Sequence, residues 1–254
     1  MSRALLAALA VLGCRRAPPV PRADRSDRAI PTLRAPRVPD AEITVDGRLS
    51  EGAWSRAGRT MGFVHPGTGA WVSSSKVQAE AWVLWSDARL IIAARVWDPS
   101  PARAFSREAE DPHVWERETG FEVMLQPGDP GDNERYFELQ VGASGALWAT
   151  RFDNYNRPVT RDASGALRFG HQDWSPRLER AVRVEGGCVV VEMALRWSDL
   201  QSTRAMIPPR DGDVWRVNFY SFRDGQRDSL AWSPILGEGN FHRASRWGRV
   251  TFAR

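Results

Sequence analysis

The sequence predicts an all-β protein, a single β-sandwich of immunoglobulin-like or jelly-roll-like type with about ten or more antiparallel strands. Short runs rich in Val, Ile, Trp and Phe recur along the chain, with apolar and polar residues alternating at the period of a strand. Turn residues punctuate these runs. Helical character is confined to two short stretches, Ser50 to Ala57 and Trp197 to Leu200. A chain of 254 residues, 42% of them hydrophobic, has room for one core of this kind.

The first elements are an address. Met1-Ser2-Arg3 is followed by an apolar run, Ala4 to Gly13. That run is too short to cross a bilayer core of roughly 30 Å as a helix, and it suits an export signal over residues 1–13. Val11-Leu12-Gly13-Cys14 resembles the bacterial lipoprotein signal box, which implies Cys14 as a lipidated mature N-terminus in the cell envelope. An ordinary signal peptide with an incidental Cys is the alternative. Residues 14–39 are rich in Arg and Pro without apolar period and are expected to form an extended tether. Arg15, Arg16, Arg22, Arg25, Arg28, Arg34 and Arg37 lie there, so much of the net charge of +4 belongs to a tail near an anionic membrane and needs no nucleic-acid partner.

The sandwich is expected over residues 40–254. Asp46-Gly47 reads as a tight turn, and Trp54 on the first short helix as packing at the sandwich edge. Val77 to Trp85 and Arg89 to Trp97 form a hairpin across Ser86-Asp87-Ala88. Trp82 and Trp85 within it must face opposite sides. Phe121, Val123 and Leu125 point inward, leaving Glu122 and Met124 outward. Phe137, Leu139 and Val141 likewise point inward, with Tyr136, Glu138 and Gln140 outward. Gly145 to Phe152, Arg177 to Val184, Cys188 to Leu195, Val214 to Phe222, Ser229 to Ser233 and Gly248 to Phe252 complete the strands. With Cys14 in the anchor, Cys188 has no disulfide partner in the chain and reads as a small buried hydrophobe.

Much chemistry is absent. Lys76 is the one Lys, and no phosphate-binding Gly-Lys-Ser/Thr surrounds it. Ser73-Ser-Ser-Lys76 spells a penicillin-binding nucleophile motif, but no Lys remains for its partner motif. His65, His113, His171 and His242 lack zinc spacing. No catalytic residue, cofactor or metal is expected, with one reservation: Asp129, Asp132 and Asn133 form a turn-rich loop that either holds a structural Ca²⁺ or is simply solvated.

Several segments resemble, in order and spacing, the family 9 carbohydrate-binding module and its wider relatives. They are Ile43-Thr-Val-Asp-Gly-Arg-Leu-Ser-Glu-Gly-Ala-Trp54, the hairpin Val83 to Asp98, Trp115 to Leu125, Val190-Val-Glu-Met-Ala-Leu-Arg-Trp-Ser-Asp-Leu200, Trp215-Arg-Val-Asn-Phe-Tyr220, and Ala231-Trp-Ser-Pro234 with Asn240 to Gly248. The resemblance implies a non-catalytic, monomeric module that clamps a carbohydrate between two aromatic rings, at the positions of Trp115 and Phe241. Phe241 stands where the sugar binders carry Trp. Glu122, Gln140, Tyr220 and Asn218 would read hydroxyls from one concave face, or else form an ordinary solvated sheet face. Ser221 replaces the family's Arg, and Arg223 lies nearby as a further contact. Two other readings stay open. One is a haem-binding electron-transfer relative, with Met124, Met193, Met206 and His242 as the available axial ligands. The other is a structural envelope module without ligand.

Overall fold

A computed structural model of the protein describes residues 29–73, 77–223, 225, 228–237 and 240–254. The export signal, Cys14 and Ser74-Ser75-Lys76 lie outside these residues. Strands are numbered in chain order. The first sheet runs β1 (Thr32–Pro36), β14 (Gly248–Ala253), β12 (Val214–Phe222), β5 (Gly120–Gln126), β6 (Glu134–Gly142) and β7 (Leu147–Asn154), with β13 (Leu230–Ala231) also paired to β12. The second sheet runs β10 (Glu179–Glu185), β11 (Cys188–Arg196), β4 (Arg89–Trp97), β3 (Gln78–Trp85) and β2 (Gly58–Arg59). A small hairpin, β8 (Thr160–Arg161) with β9 (Leu167–Arg168), stands between β7 and β10 in the chain. The architecture is the β-sandwich that the alternation predicts.

Phe121, Val123, Leu125, Phe137, Leu139, Val141 and Phe219 meet Val83, Trp85, Ile92, Val191 and Met193 in the core between the sheets. Trp82 and Trp85 do take opposite faces, but both are buried. Trp82 lies on the outer face of the second sheet in a separate cluster with Val38, Ile43, Leu49, Trp54 and Cys188. Trp54, on the single turn Gly52–Ser55, therefore covers a sheet face and not the sandwich edge. The second stretch of helical character forms only the turn Trp197–Asp199. A further short helix, α1 (Val114–Arg117), occupies what reads in sequence as a loop.

Two expectations need correction. The tether ends before Thr32, because β1 pairs in parallel with β14 and buries Leu33 and Ala35. That pairing also makes the sandwich not purely antiparallel. Trp85 Nε1 donates to both Ala35 O and Ala253 O at 3.1 Å, which locks β1 to β14 from within the core.

Segments far apart in sequence meet for structural reasons. Glu192 Oε2 accepts the backbone N–H groups of Asp46 (3.0 Å) and Gly47 (2.8 Å), so β11 holds the first turn in place. A side chain on Gly248 would lie 2.2 Å from the Trp232 ring, so these two positions require each other.

The acidic loop between β5 and β6 does not form a calcium cage. Asp129 pairs with Arg216 and Arg249, and Asp132 with Arg204, while Asn133 bonds His242 O and Ala244 N. Guanidinium groups and backbone thus occupy the ligands a cation would need. Among the described residues no group of three His, Cys, Asp or Glu is placed to hold a metal.

Candidate functional site

Cross-strand register on the first sheet builds two rows. Tyr220, Glu122, Gln140 and Trp148 lie side by side, and next to them Asn218, Met124, Glu138 and Thr150. All face away from the sandwich core, since alternate residues of these strands fill it. At the centre, Gln140 Nε2 donates to Glu122 Oε2 (3.0 Å) and to Glu138 Oε1 (2.8 Å), which bridges the two carboxyl groups. Glu122 Oε1, Glu138 Oε2, Gln140 Oε1 and Thr150 Oγ1 are all buried without a hydrogen-bond partner. Each such group costs about 1–3 kcal/mol, and folded proteins hold few of them. Four of them lie together in this one patch.

Rings wall this floor. Trp115, on α1, stacks on His113 (4.5 Å, 18°) and meets Trp148 edge-on (4.7 Å, 74°). His242 stacks on Tyr155 (4.0 Å, 14°). Leu167, Arg168 and Phe169, on and just after β9, complete the rim of a cavity of about 300 Å³ floored by Glu138 and Gln140. That volume is at the small end of ligand pockets.

Of the residues expected from sequence, Trp115 and Gln140 line this cavity. Glu122 lies beside Gln140 in the floor but is fully buried. The face is thus roofed, and the solvated-sheet reading of Glu122 and Gln140 is corrected. Phe241 lies flat on Tyr220 (3.9 Å, 5°), whose hydroxyl donates to Phe241 O at 3.1 Å, so the two form a closed stack outside the cavity lining. Asn218 exchanges two 2.9 Å hydrogen bonds with the backbone of Ser233. Arg223 lies 3.1 Å from buried Asp98 and donates to Ser100 O, so its charge is used within the fold. The haem ligands do not assemble: Met193 is in the inter-sheet core, Met206 is exposed, and Met124 packs with Tyr136, Tyr220 and Trp247.

Glu138, Trp148, Thr150, His113 and Tyr155 belong to the site without being among the expected contacts, and His242, expected only as a haem ligand, joins them. Glu138 was legible, two residues before Gln140 on the same face. Trp148 depended on the β6–β7 register, and the others on loop paths.

Burial dominates the electrostatics. It pushes the Glu138 carboxyl up to about 8. Glu122 is also held well above the usual carboxylate range, by burial and then by the charge of Glu138. At neutral pH the pair therefore holds a proton. Burial pushes His242 down to about 3, so its ring is neutral. Tyr136 keeps its phenolic proton and shares a 2.6 Å hydrogen bond with His242 Nδ1, while His242 Nε2 stands 3.7 Å from Glu138 Oε2, beyond hydrogen-bond reach.

Solved structures share this fold. A carbohydrate binding module family 9 protein from Caldicellulosiruptor kristjanssonii in complex with cellotriose superposes with a TM-score of 0.57 at 12% identity, over 87% of this chain and 93% of its own. A family 9 module from the same organism in complex with glucose gives 0.58 at 12% identity, over 88% and 96%. A protein from Bacteroides uniformis ATCC 8492, itself only inferred to bind carbohydrate, gives 0.65 at 18% identity, over 88% and 100%. No curated protein matches the chain at a significant level. Residues 45–254 match the family model described as "Carbohydrate family 9 binding domain-like", and the chain belongs to that family.

Proposed function

We propose that this protein is a non-catalytic carbohydrate-binding module that takes a sugar ring between Trp115 and the His242–Tyr155 pair, over Glu138 and Gln140. One observation carries the reading: four buried polar atoms without partners lie together beneath aromatic walls. A pyranose matches this arrangement, since its C–H face packs on rings while its hydroxyls bond polar groups. Cellotriose and glucose are bound in the similar family 9 structures, which makes β-glucans the first ligands to try. The lipoprotein-like signal supports export and anchoring through a lipid on Cys14, with the module acting as a monomer at the cell envelope alongside polysaccharide breakdown. The haem and ligand-free readings have no such support.

Titration calorimetry with cello-oligosaccharides tests the site. Trp115→Ala and Gln140→Ala should each weaken binding by about 1–2 kcal/mol. Phe241→Ala, which opens a packed stack, should lower thermal stability more than affinity. Unchanged binding in both Trp115→Ala and Gln140→Ala would place the sugar elsewhere.

A further inference from the structure

The polarity of the cavity floor is one-sided. Of its unpartnered atoms, Gln140 Oε1 is an acceptor, those of Glu122 and Glu138 are acceptors wherever the carboxyl is ionised, and the Thr150 hydroxyl can act either way. The amide N–H groups of Gln140 are already given to the two carboxyl groups. Among the described residues no neighbouring element brings a cation to them. From β12, the Tyr220 hydroxyl is bonded to Phe241 O. Tyr136, on β6, is bonded to the neutral His242, whose Nε2 stays 3.7 Å from Glu138. His113, preceding α1, pairs with Glu116 at 3.2 Å, and the Tyr155 hydroxyl accepts from Asn240. Arg168, at the rim on β9, pairs with Asp162 at 3.0 Å.

Resting on the carbohydrate-binding reading, we propose that the preferred ligand is an amino sugar with a free, protonated amine, its ammonium group seated over Glu138 beside Glu122. An ammonium brings three donors and a positive charge to two buried carboxyl groups that have no cation paired to them among the described residues, and it stabilises their ionised form. A neutral sugar hydroxyl supplies one donor and no charge. An N-acetyl group supplies one N–H and no charge.

The proton balance follows. Ammonium binding favours the fully ionised carboxyl pair, so the shared proton leaves to solvent as the complex forms. While the sugar amine is fully protonated, affinity should rise with pH by up to about tenfold per unit; the rise ends where the amine begins to titrate, and affinity falls once Glu138 is ionised and the amine is neutral.

Calorimetry of the full chain with a glucosamine trimer, its N-acetylated counterpart and cellotriose, at about pH 5.5, where the amine is already protonated, in two buffers of different ionisation heat, tests this. The glucosamine trimer should bind about tenfold tighter than cellotriose. Its heat should change with buffer, because a proton is released. Glu138→Gln should abolish both the preference and the buffer dependence. Should that variant fail to fold, the buffer and pH dependence of the natural protein decide the matter. Cellotriose binding as tightly as the glucosamine trimer, or a buffer-independent heat for the trimer, overturns the amine assignment and leaves carbohydrate binding standing. A linear polyamine binding as tightly as the trimer also overturns it, by reducing recognition to charge. Binding of no saccharide overturns both readings.

Discussion

Glu192 lies on the outer face of the second sheet, where burial pushes its carboxyl up to about 7 despite two backbone N–H groups pointing at it. Glu138 and Glu122 shift the same way on the first sheet. For an acid raised in the folded state, the fold holds a proton that the unfolded chain releases above its ordinary value of 4.5, so stability is lost as pH rises through the folded value. His242 runs opposite. Its depressed value means that stability is lost as pH falls from 6.5 toward about 3. Between 4.5 and 6.5 the two effects oppose each other, and above 6.5 only the acids act. The midpoint of thermal unfolding should therefore be higher near about pH 6 than near about pH 8.5, and Glu192→Gln should narrow that difference. Calorimetric scans across this range check it, and a midpoint that climbs toward alkaline pH would contradict it.

Among the elements, β1 has the largest effect on the boundary of the domain. It is a short edge strand, yet it pairs along β14 and then turns toward the second sheet, where Val38 N donates to Trp85 O at 2.8 Å. Gly58 on β2 lies directly against it; a Cβ there would be 2.0 Å from Arg34 O. Removing β1 would expose the β14 edge and the Leu33 pocket. A chain beginning at Asp40 should lose roughly 3–5 kcal/mol relative to one beginning at Ala29, from lost apolar burial and hydrogen bonds. Chemical denaturation of the two truncations measures this directly, and equal midpoints would mean that β1 contributes little.

For the molecule as a whole, β1 shortens the span available between Cys14 and the folded body. The high Arg content then divides in two. Arg15 through Arg28 precede the described residues, whereas Arg37 pairs with Asp87 and Arg204, Arg216 and Arg249 pair with the acidic loop between β5 and β6. Within the fold the guanidinium groups are therefore mostly structural. If Cys14 carries the lipid, Cys14→Ser should move the protein from the membrane fraction to the soluble envelope fraction without altering its melting curve or its sugar affinity. Unchanged membrane association would refute the anchor.

Local alternation made most strands readable. Val214–Phe222 and Gly120–Gln126 carry a two-residue period, Cys188–Arg196 is a near-continuous apolar run, and all three appear where expected. The same period put Glu122 and Gln140 on one face. It did not identify β1, whose Thr-Leu-Arg-Ala alternation is only four residues long between prolines and which pairs along its length with β14. Nor could it align Trp148 with Gln140, or bring His242 and Tyr155 against Glu138. Those placements arise from cross-strand register and loop closure between residues far apart in the chain. So does the position of Phe241, which lies on Tyr220 and outside the cavity. Which face a side chain takes is a property of its own strand's backbone, legible from neighbours; what it meets there, and whether its polar atoms find a partner, is set by packing that no single segment contains.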